Sequence, residues 1–112
     1  MKPAPFRYER PTTVEETVTL LREHGDEAKL LAGGQSLVPL LNLRLARPAV
    51  LIDINRVEGL DRSEGDAVGA TVRQRGFTGV PLVALAMPFV GHLVTRNRGT
   101  VGGSIAHADS SA

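Results

Sequence analysis

The stretch Leu30-Leu31-Ala32-Gly33-Gly34-Gln35-Ser36-Leu37 joins an apolar run that reads as a short strand to the start of a helix through two glycines. Without Cβ atoms, Gly33 and Gly34 let the backbone take positive φ and lie close to a ligand. The unpaired N–H groups at the head of the following helix then face an anion. Ser36 suits the cap of that helix. The stretch is therefore a candidate phosphate seat, although a glycine pair between a strand and a helix also serves as a plain turn. Neither named phosphate loop fits. A third glycine at the dinucleotide spacing is missing, and no Gly-Lys-Ser/Thr closes the stretch.

Working outward, the preceding segment reads as a helix. Thr12 with Glu15, or Thr13 with Glu16, has capping-box spacing, and Val14, Val18 and Leu21, joined by Leu20, recur on one helical face. His24-Gly25 stops that helix, Ala28 to Ala32 reads as a buried strand, and Phe6-Arg7-Tyr8-Glu9 could be an initial extended piece. From Ser36 a second helix turns Leu37, Leu40, Leu41 and Leu45 inward, with Pro39 tolerable in its first turn, and Arg47-Pro48 ends it. Ala49-Val50-Leu51-Ile52-Asp53-Ile54 is a continuous apolar run and the clearest strand in the chain; Asp53 at its end suits a turn cap. Residues 1–55 thus read as a small parallel β-α-β unit with the glycine pair at a strand's carboxyl end.

Beyond Asn55, residues 58–66 are turn-rich, and Ala67 to Val72 reads as a strand whose Gly69 marks a close approach. Residues 73–81 read as loop, and Leu82 to Val94 as a helix broken by Pro88 and Gly91. The apolar content is 42% but the aromatic content only 4%, so the core of this 112-residue chain is built from Leu, Val, Ala and Ile. A net charge of +1 gives no general reason for nucleic-acid or membrane binding, and the absence of cysteine excludes disulfides, thiolate metal sites and Cys-ligated clusters in this chain. Lacking a signal-peptide core or a spanning apolar segment, it is expected in the cytoplasm.

A second glycine pair lies in Arg96-Asn97-Arg98-Gly99-Thr100-Val101-Gly102-Gly103-Ser104-Ile105-Ala106-His107-Ala108-Asp109. Two glycine turns, each beside a small hydroxyl residue, could converge on one ligand with two phosphates, with Arg96 or Arg98 adding a forked donor. The alternative is two unrelated turns. This run, together with Ala32 to Leu37, Asn42-Leu43-Arg44-Leu45 and Leu51-Ile52-Asp53-Ile54, resembles the FAD-binding medium subunit of molybdenum hydroxylases, the family of carbon monoxide dehydrogenase and xanthine dehydrogenase. The likeness covers the N-terminal portion of that subunit.

The resemblance implies an α+β chain of α/β subdomains in the FAD-binding fold of the PCMH type, with a first subdomain at 1–55 and an incomplete second at 56–112. It implies FAD as cofactor, held by Ala32, Gly33, Gly34, Gln35, Ser36 and Leu37 at the pyrophosphate and by Thr100, Val101, Gly102, Gly103 and Ser104 near its phosphate and ribityl side, with Asp109 as a further candidate. It also implies an iron-sulfur small subunit and a molybdenum-cofactor large subunit as partners, from which electrons pass through the flavin to an external acceptor.

Against the family pattern, Ser110 and Ser111 replace the residues that usually follow His-Ala-Asp, and the stretch from Leu60 to Arg96 is short. The missing half-subdomain would leave strand edges and apolar side chains uncovered. A second reading, a non-catalytic remnant or interaction module that retains no flavin, therefore stands beside the first. Other chemistries are poorly served. His92, His107 and Asp109 make a thin metal set, and Gly102-Gly103-Ser104-Ile105-Ala106 lacks the glycine of a nucleophile elbow. Arg96 and Arg98 have no aromatic companion for base stacking, and Arg44 and Arg47 read as a solvated face.

Overall fold

A computed structural model describes residues 1–109; Ser110 and Ser111 lie outside the described residues. Three strands, β1 (Arg7–Glu9), β2 (Ala28–Leu31) and β3 (Val50–Asp53), form a parallel sheet in the order β1-β3-β2. Every residue of the central β3 is buried, as its unbroken apolar run requires of a strand covered on both faces. Leu31 pairs with Asp53, so the chain leaves β2 into Ala32-Gly33-Gly34 level with the end of β3. The parallel unit and the placing of the glycine pair match the reading of the sequence.

Helix α1 (Val14–His24) crosses from β1 to β2. The Thr13 hydroxyl caps it by accepting from the Glu16 N–H at 3.1 Å, while the Glu16 carboxylate accepts from the Thr12 N–H at 3.2 Å. Its buried face differs from the expected one: Val14 and Val18 are exposed, and Thr17, Leu20 and Leu21 face the sheet. Thr17 can be buried because its hydroxyl donates to the Thr13 carbonyl at 2.8 Å. The core comprises Ala28, Val50, Ile52, Ile54 and Val57, with Leu20, Leu21, Ala32 and Leu60 packed against it.

Helix α2 (Leu37–Asn42) is shorter than predicted. Arg44 takes φ 58°, and the Leu45 and Ala46 N–H groups both return to the Leu40 carbonyl, a helix-ending turn that leaves Leu45 74% exposed rather than inward. Ser36 precedes the helix in a helical conformation, and its side chain makes no cap bond, contrary to expectation.

The second half opens with a hairpin of β4 (Ser63–Glu64) and β5 (Ala67–Val68), turned at Gly65, so the expected strand to Val72 stops early. Its end is dictated at Gly69, where a Cβ would strike the Leu60 carbonyl and lie 2.9 Å from that of Arg62; the Gly69 N–H donates to the Arg62 carbonyl at 2.7 Å. The broken helix is real: α3 (Pro81–Ala86), a 3₁₀ turn at Met87–Phe89 and α4 (Leu93–Arg98) follow, with Pro88 and Gly91 at the interruptions. Leu82, Leu85, Phe89, Leu93 and Val94 all stay exposed. The second glycine pair is not a turn. Gly102 and Gly103 lie in the first turn of α5 (Val101–His107).

Candidate functional site

At the end of β2 the Leu31 carbonyl accepts from the Ile54 N–H at 3.0 Å, and the Ala32 carbonyl accepts from Asn55 Nδ2 at 2.7 Å. Gly34 then takes φ 77°, and its carbonyl accepts the Val38 N–H at 2.9 Å. All three carbonyls are thus spent on partners within the protein. The N–H groups of Gly33, Gly34, Gln35, Ser36 and Leu37 have no hydrogen-bond partner among the described residues. Consecutive unbonded amides around a positive-φ residue form a concavity suited to an anion.

The two glycine motifs meet. A Cβ on Gly33 would fall on the Arg98 carbonyl, 2.9 Å from the Gly99 Cα and 3.1 Å from the Thr100 nitrogen; one on Gly103 would lie 3.7 Å from the Ala32 Cβ. The sequence motif thus has a steric basis in backbone-to-backbone contact. The second motif, however, spends its own amides internally. The Val101 N–H donates to the Val72 carbonyl at 2.9 Å, Gly102 to Ala70 at 3.1 Å, Gly103 to the Thr100 hydroxyl at 3.1 Å and Ser104 to the Thr100 carbonyl at 3.1 Å. Thr100 is 2% exposed and caps α5. A Cβ on Gly102 would sit 2.7 Å from the Ala70 carbonyl oxygen, so this glycine serves close packing. Ser104 and Asp109 are exposed on and just beyond α5, and Val101 is half-buried. The arginines differ: Arg96 Nη1 donates to the carbonyls of Pro88, Val90 and Gly91, whereas the Arg98 side chain is exposed.

Sequence reasoning missed the polar chain that joins these parts. Asn55 donates from Nδ2 to Asp53 Oδ1 at 2.6 Å as well as to Ala32, and its Oδ1 accepts from Arg73 Nη2 at 2.8 Å. Arg73 Nη1 donates to the Arg98 carbonyl at 2.6 Å. Tyr8 donates its hydroxyl to Asp53 Oδ2, and Asp53 Oδ1 also accepts the Asn55 backbone N–H at 2.9 Å. The Asp53 turn cap expected from the sequence is therefore present. Burial works to raise the Asp53 carboxyl, but the bonds from Tyr8 and Asn55 and the charge of Arg10 outweigh it and hold the group below the usual carboxylate range. Burial, and then the charge of Arg98, push Arg73 down from the ordinary guanidinium value. The spacing Asp53-x-Asn55 after a strand was a readable turn signal; nothing local marks Arg73. A cleft of about 420 Å³ opens beside Asn55 and Arg73, with Asp61, Ser63 and Thr71 on its walls. No group of three His, Cys, Asp or Glu that could hold a metal occurs among the described residues.

Comparison with known proteins places this arrangement. Residues 4–112 match the family described as the FAD binding domain in molybdopterin dehydrogenase. The chain is 46% identical over 123 residues to the alpha subunit of the 6-hydroxypseudooxynicotine dehydrogenase complex of Paenarthrobacter nicotinovorans, covering 100% of this chain and 42% of that protein. It is 43% identical to the carbon monoxide dehydrogenase medium chain of Hydrogenophaga pseudoflava, covering 96% of this chain and 41% of that one. Its structure resembles that of quinoline 2-oxidoreductase from Pseudomonas putida 86 with a TM-score of 0.91 and 38% identity, over 100% of this chain and 43% of that chain. The chain belongs to the FAD-binding domain family of the molybdopterin dehydrogenases, and FAD is the cofactor of this fold. It spans 42% and 41% of the length of these two curated relatives. A row of five adjacent unbonded amides is a donor set whose chemistry fits an anionic group such as the pyrophosphate of that cofactor. Among the described residues, no helix is long and apolar enough to cross a membrane.

Proposed function

We propose that this chain is the pyrophosphate-holding part of an electron-transfer flavoprotein subunit in a molybdenum hydroxylase complex. The observation that carries the reading is the row of five amides, Gly33 to Leu37, left unbonded at the meeting point of the two family motifs. These amides hold the anion, and Ala32 turns its carbonyl away from it. Thr100, Gly102 and Gly103 form the packed support on which the first loop rests. Val101, Ser104 and Asp109 flank the phosphate and ribityl side. Residues 1–55 and 56–112 then act as two subdomains of one flavin domain. When bound, the flavin supplies two-electron chemistry and single-electron exchange, which no side chain here provides.

In this reading the chain works inside a cytoplasmic complex, receiving electrons from an iron-sulfur small subunit that is itself served by a molybdenum-cofactor large subunit. The medium and alpha subunits among its relatives support a heteromeric setting. A second reading, an interaction module without flavin, draws on Leu82, Leu85, Phe89, Leu93 and Val94, large apolar side chains close in sequence that are all exposed. One experiment separates them. The purified chain is mixed with FAD, freed of unbound flavin by gel filtration and its visible spectrum recorded. Retained flavin near one equivalent supports the electron-transfer reading; a colourless protein overturns it in favour of the module.

A further inference from the structure

The side chain that aims the first glycine loop is Asn55, which lies outside both family motifs. A trans peptide is planar, so fixing a carbonyl in one direction sends the next residue's N–H the opposite way. The Ala32 carbonyl is pinned toward Asn55 Nδ2 at 2.7 Å, and the Gly33 N–H must therefore point outward, into the row of unbonded amides. Asn55 has no freedom to release it. Its Nδ2 has acceptors at Asp53 Oδ1 and Ala32, and its Oδ1 has a donor at Arg73 Nη2, so only one orientation of the amide satisfies all three partners. Asp53 is held in turn by Tyr8, and Arg73 reaches on to the Arg98 carbonyl that abuts Gly33.

We propose that Asn55, locked by Asp53 and Arg73, is a positioning residue that fixes the Ala32–Gly33 peptide plane and so presents the Gly33 N–H to the pyrophosphate of the flavin. This rests on the flavin reading above and goes beyond it, because the residue touches the loop and not the ligand. Arg73 couples the same device to the second motif. Ligand affinity thereby depends on contact between the two halves of the chain even though the second motif's own amides are spent internally.

The test uses the full chain labelled with ¹⁵N and titrated with inorganic pyrophosphate, ADP and FAD while the Gly33 to Leu37 amide resonances are followed. Two variants are compared: Asn55→Asp, which removes the donor to Ala32, and Arg73→Met, which frees Asn55 Oδ1 but leaves that donor in place. In the wild type these amides are expected to shift on binding. In Asn55→Asp the affinity for all three ligands should fall about tenfold, the scale of one lost hydrogen bond. The Gly33 resonance of the unliganded variant should move selectively while the rest of the spectrum stays dispersed. Arg73→Met should show a smaller change in the same direction. A general loss of structure would move all resonances together and would not single out Gly33. Wild-type binding with undiminished affinity in folded Asn55→Asp or Arg73→Met overturns the role of Asn55 alone. Absence of any wild-type shift overturns the flavin reading, and the inference with it.

Discussion

Gly33 packs backbone to backbone against Gly99: a Cβ placed on Gly33 would lie 2.9 Å from the Gly99 Cα, and nearer still to the Arg98 carbonyl oxygen. The φ of Gly33 is not in the left-handed region, so the demand here is for space. Gly33→Ala is expected to force the two motifs apart at a cost of about 1–3 kcal/mol, read as a lower urea midpoint. An unchanged midpoint would mean that the motifs do not touch.

Gly34 has the opposite problem. Its φ of 77° disfavours any side chain, and the nearest neighbour to an added Cβ is a side-chain atom, Val38 Cγ2 at 3.0 Å, not backbone. Gly34→Ala should cost about 1–2 kcal/mol through the backbone. Gly34→Asn should cost less than Gly34→Ala, since Asn tolerates this conformation. The same pair at Gly33 should rank the other way, because Asn is the larger residue. Urea unfolding of the four variants gives both rankings, and an identical order at the two sites would refute the distinction.

Asp53 is 6% exposed, and its carboxyl sits below its ordinary range despite burial. A depressed value means the folded state favours the carboxylate. Its contribution is present above the unfolded value of about 3.9 and is lost as pH falls through the folded one. Tyr8 is raised, first by its bond to Asp53, so its contribution is present below about 10 and is lost as pH rises through the folded value. Asp53→Asn should therefore flatten the stability profile below pH 4, and Tyr8→Phe should flatten it above pH 10, each followed by urea midpoints across pH. An unaltered acid limb in Asp53→Asn would show that Asp53 is not bonded as described.

Much of this was legible from local pattern. The unbroken run at Val50 to Asp53, the stop at Gly25 and the glycine pair after β2 are short-range signals, and the structure follows them, whereas the second helix ends at Asn42, well before the expected stop at Pro48. Helix faces were less legible. Thr17 rather than Val14 faces the sheet because a threonine in a helix can satisfy its hydroxyl on the preceding turn, which removes the penalty that periodicity assumes. Gly102-Gly103 read as a turn because glycine is a poor helix former, yet Thr100 caps them and the nearness of Ala70 leaves room for nothing larger. The chain from Tyr8 through Asp53, Asn55 and Arg73 to Arg98 joins residues far apart in sequence, and no local spacing encodes it.

Thr100 and Thr71 are both buried, at 2% and 4% exposure, yet their hydroxyls are in opposite circumstances. The Thr100 hydroxyl accepts the Gly103 N–H and caps α5, whereas the Thr71 hydroxyl has no partner among the described residues. Valine nearly matches threonine in shape, so the substitution isolates the hydroxyl. Thr100→Val should lower stability by about 0.5–2 kcal/mol, the loss of a cap, and Thr100→Ser should recover most of it. Thr71→Val should be neutral or raise stability by up to about 1–3 kcal/mol, because an unsatisfied buried hydroxyl is removed. Thermal unfolding of the two valine variants side by side is the check, with opposite signs expected. A fall at Thr71 as large as that at Thr100 would mean that its hydroxyl is bonded after all, and the cleft it shares with Arg73 and Asn55 would be the place to find the partner.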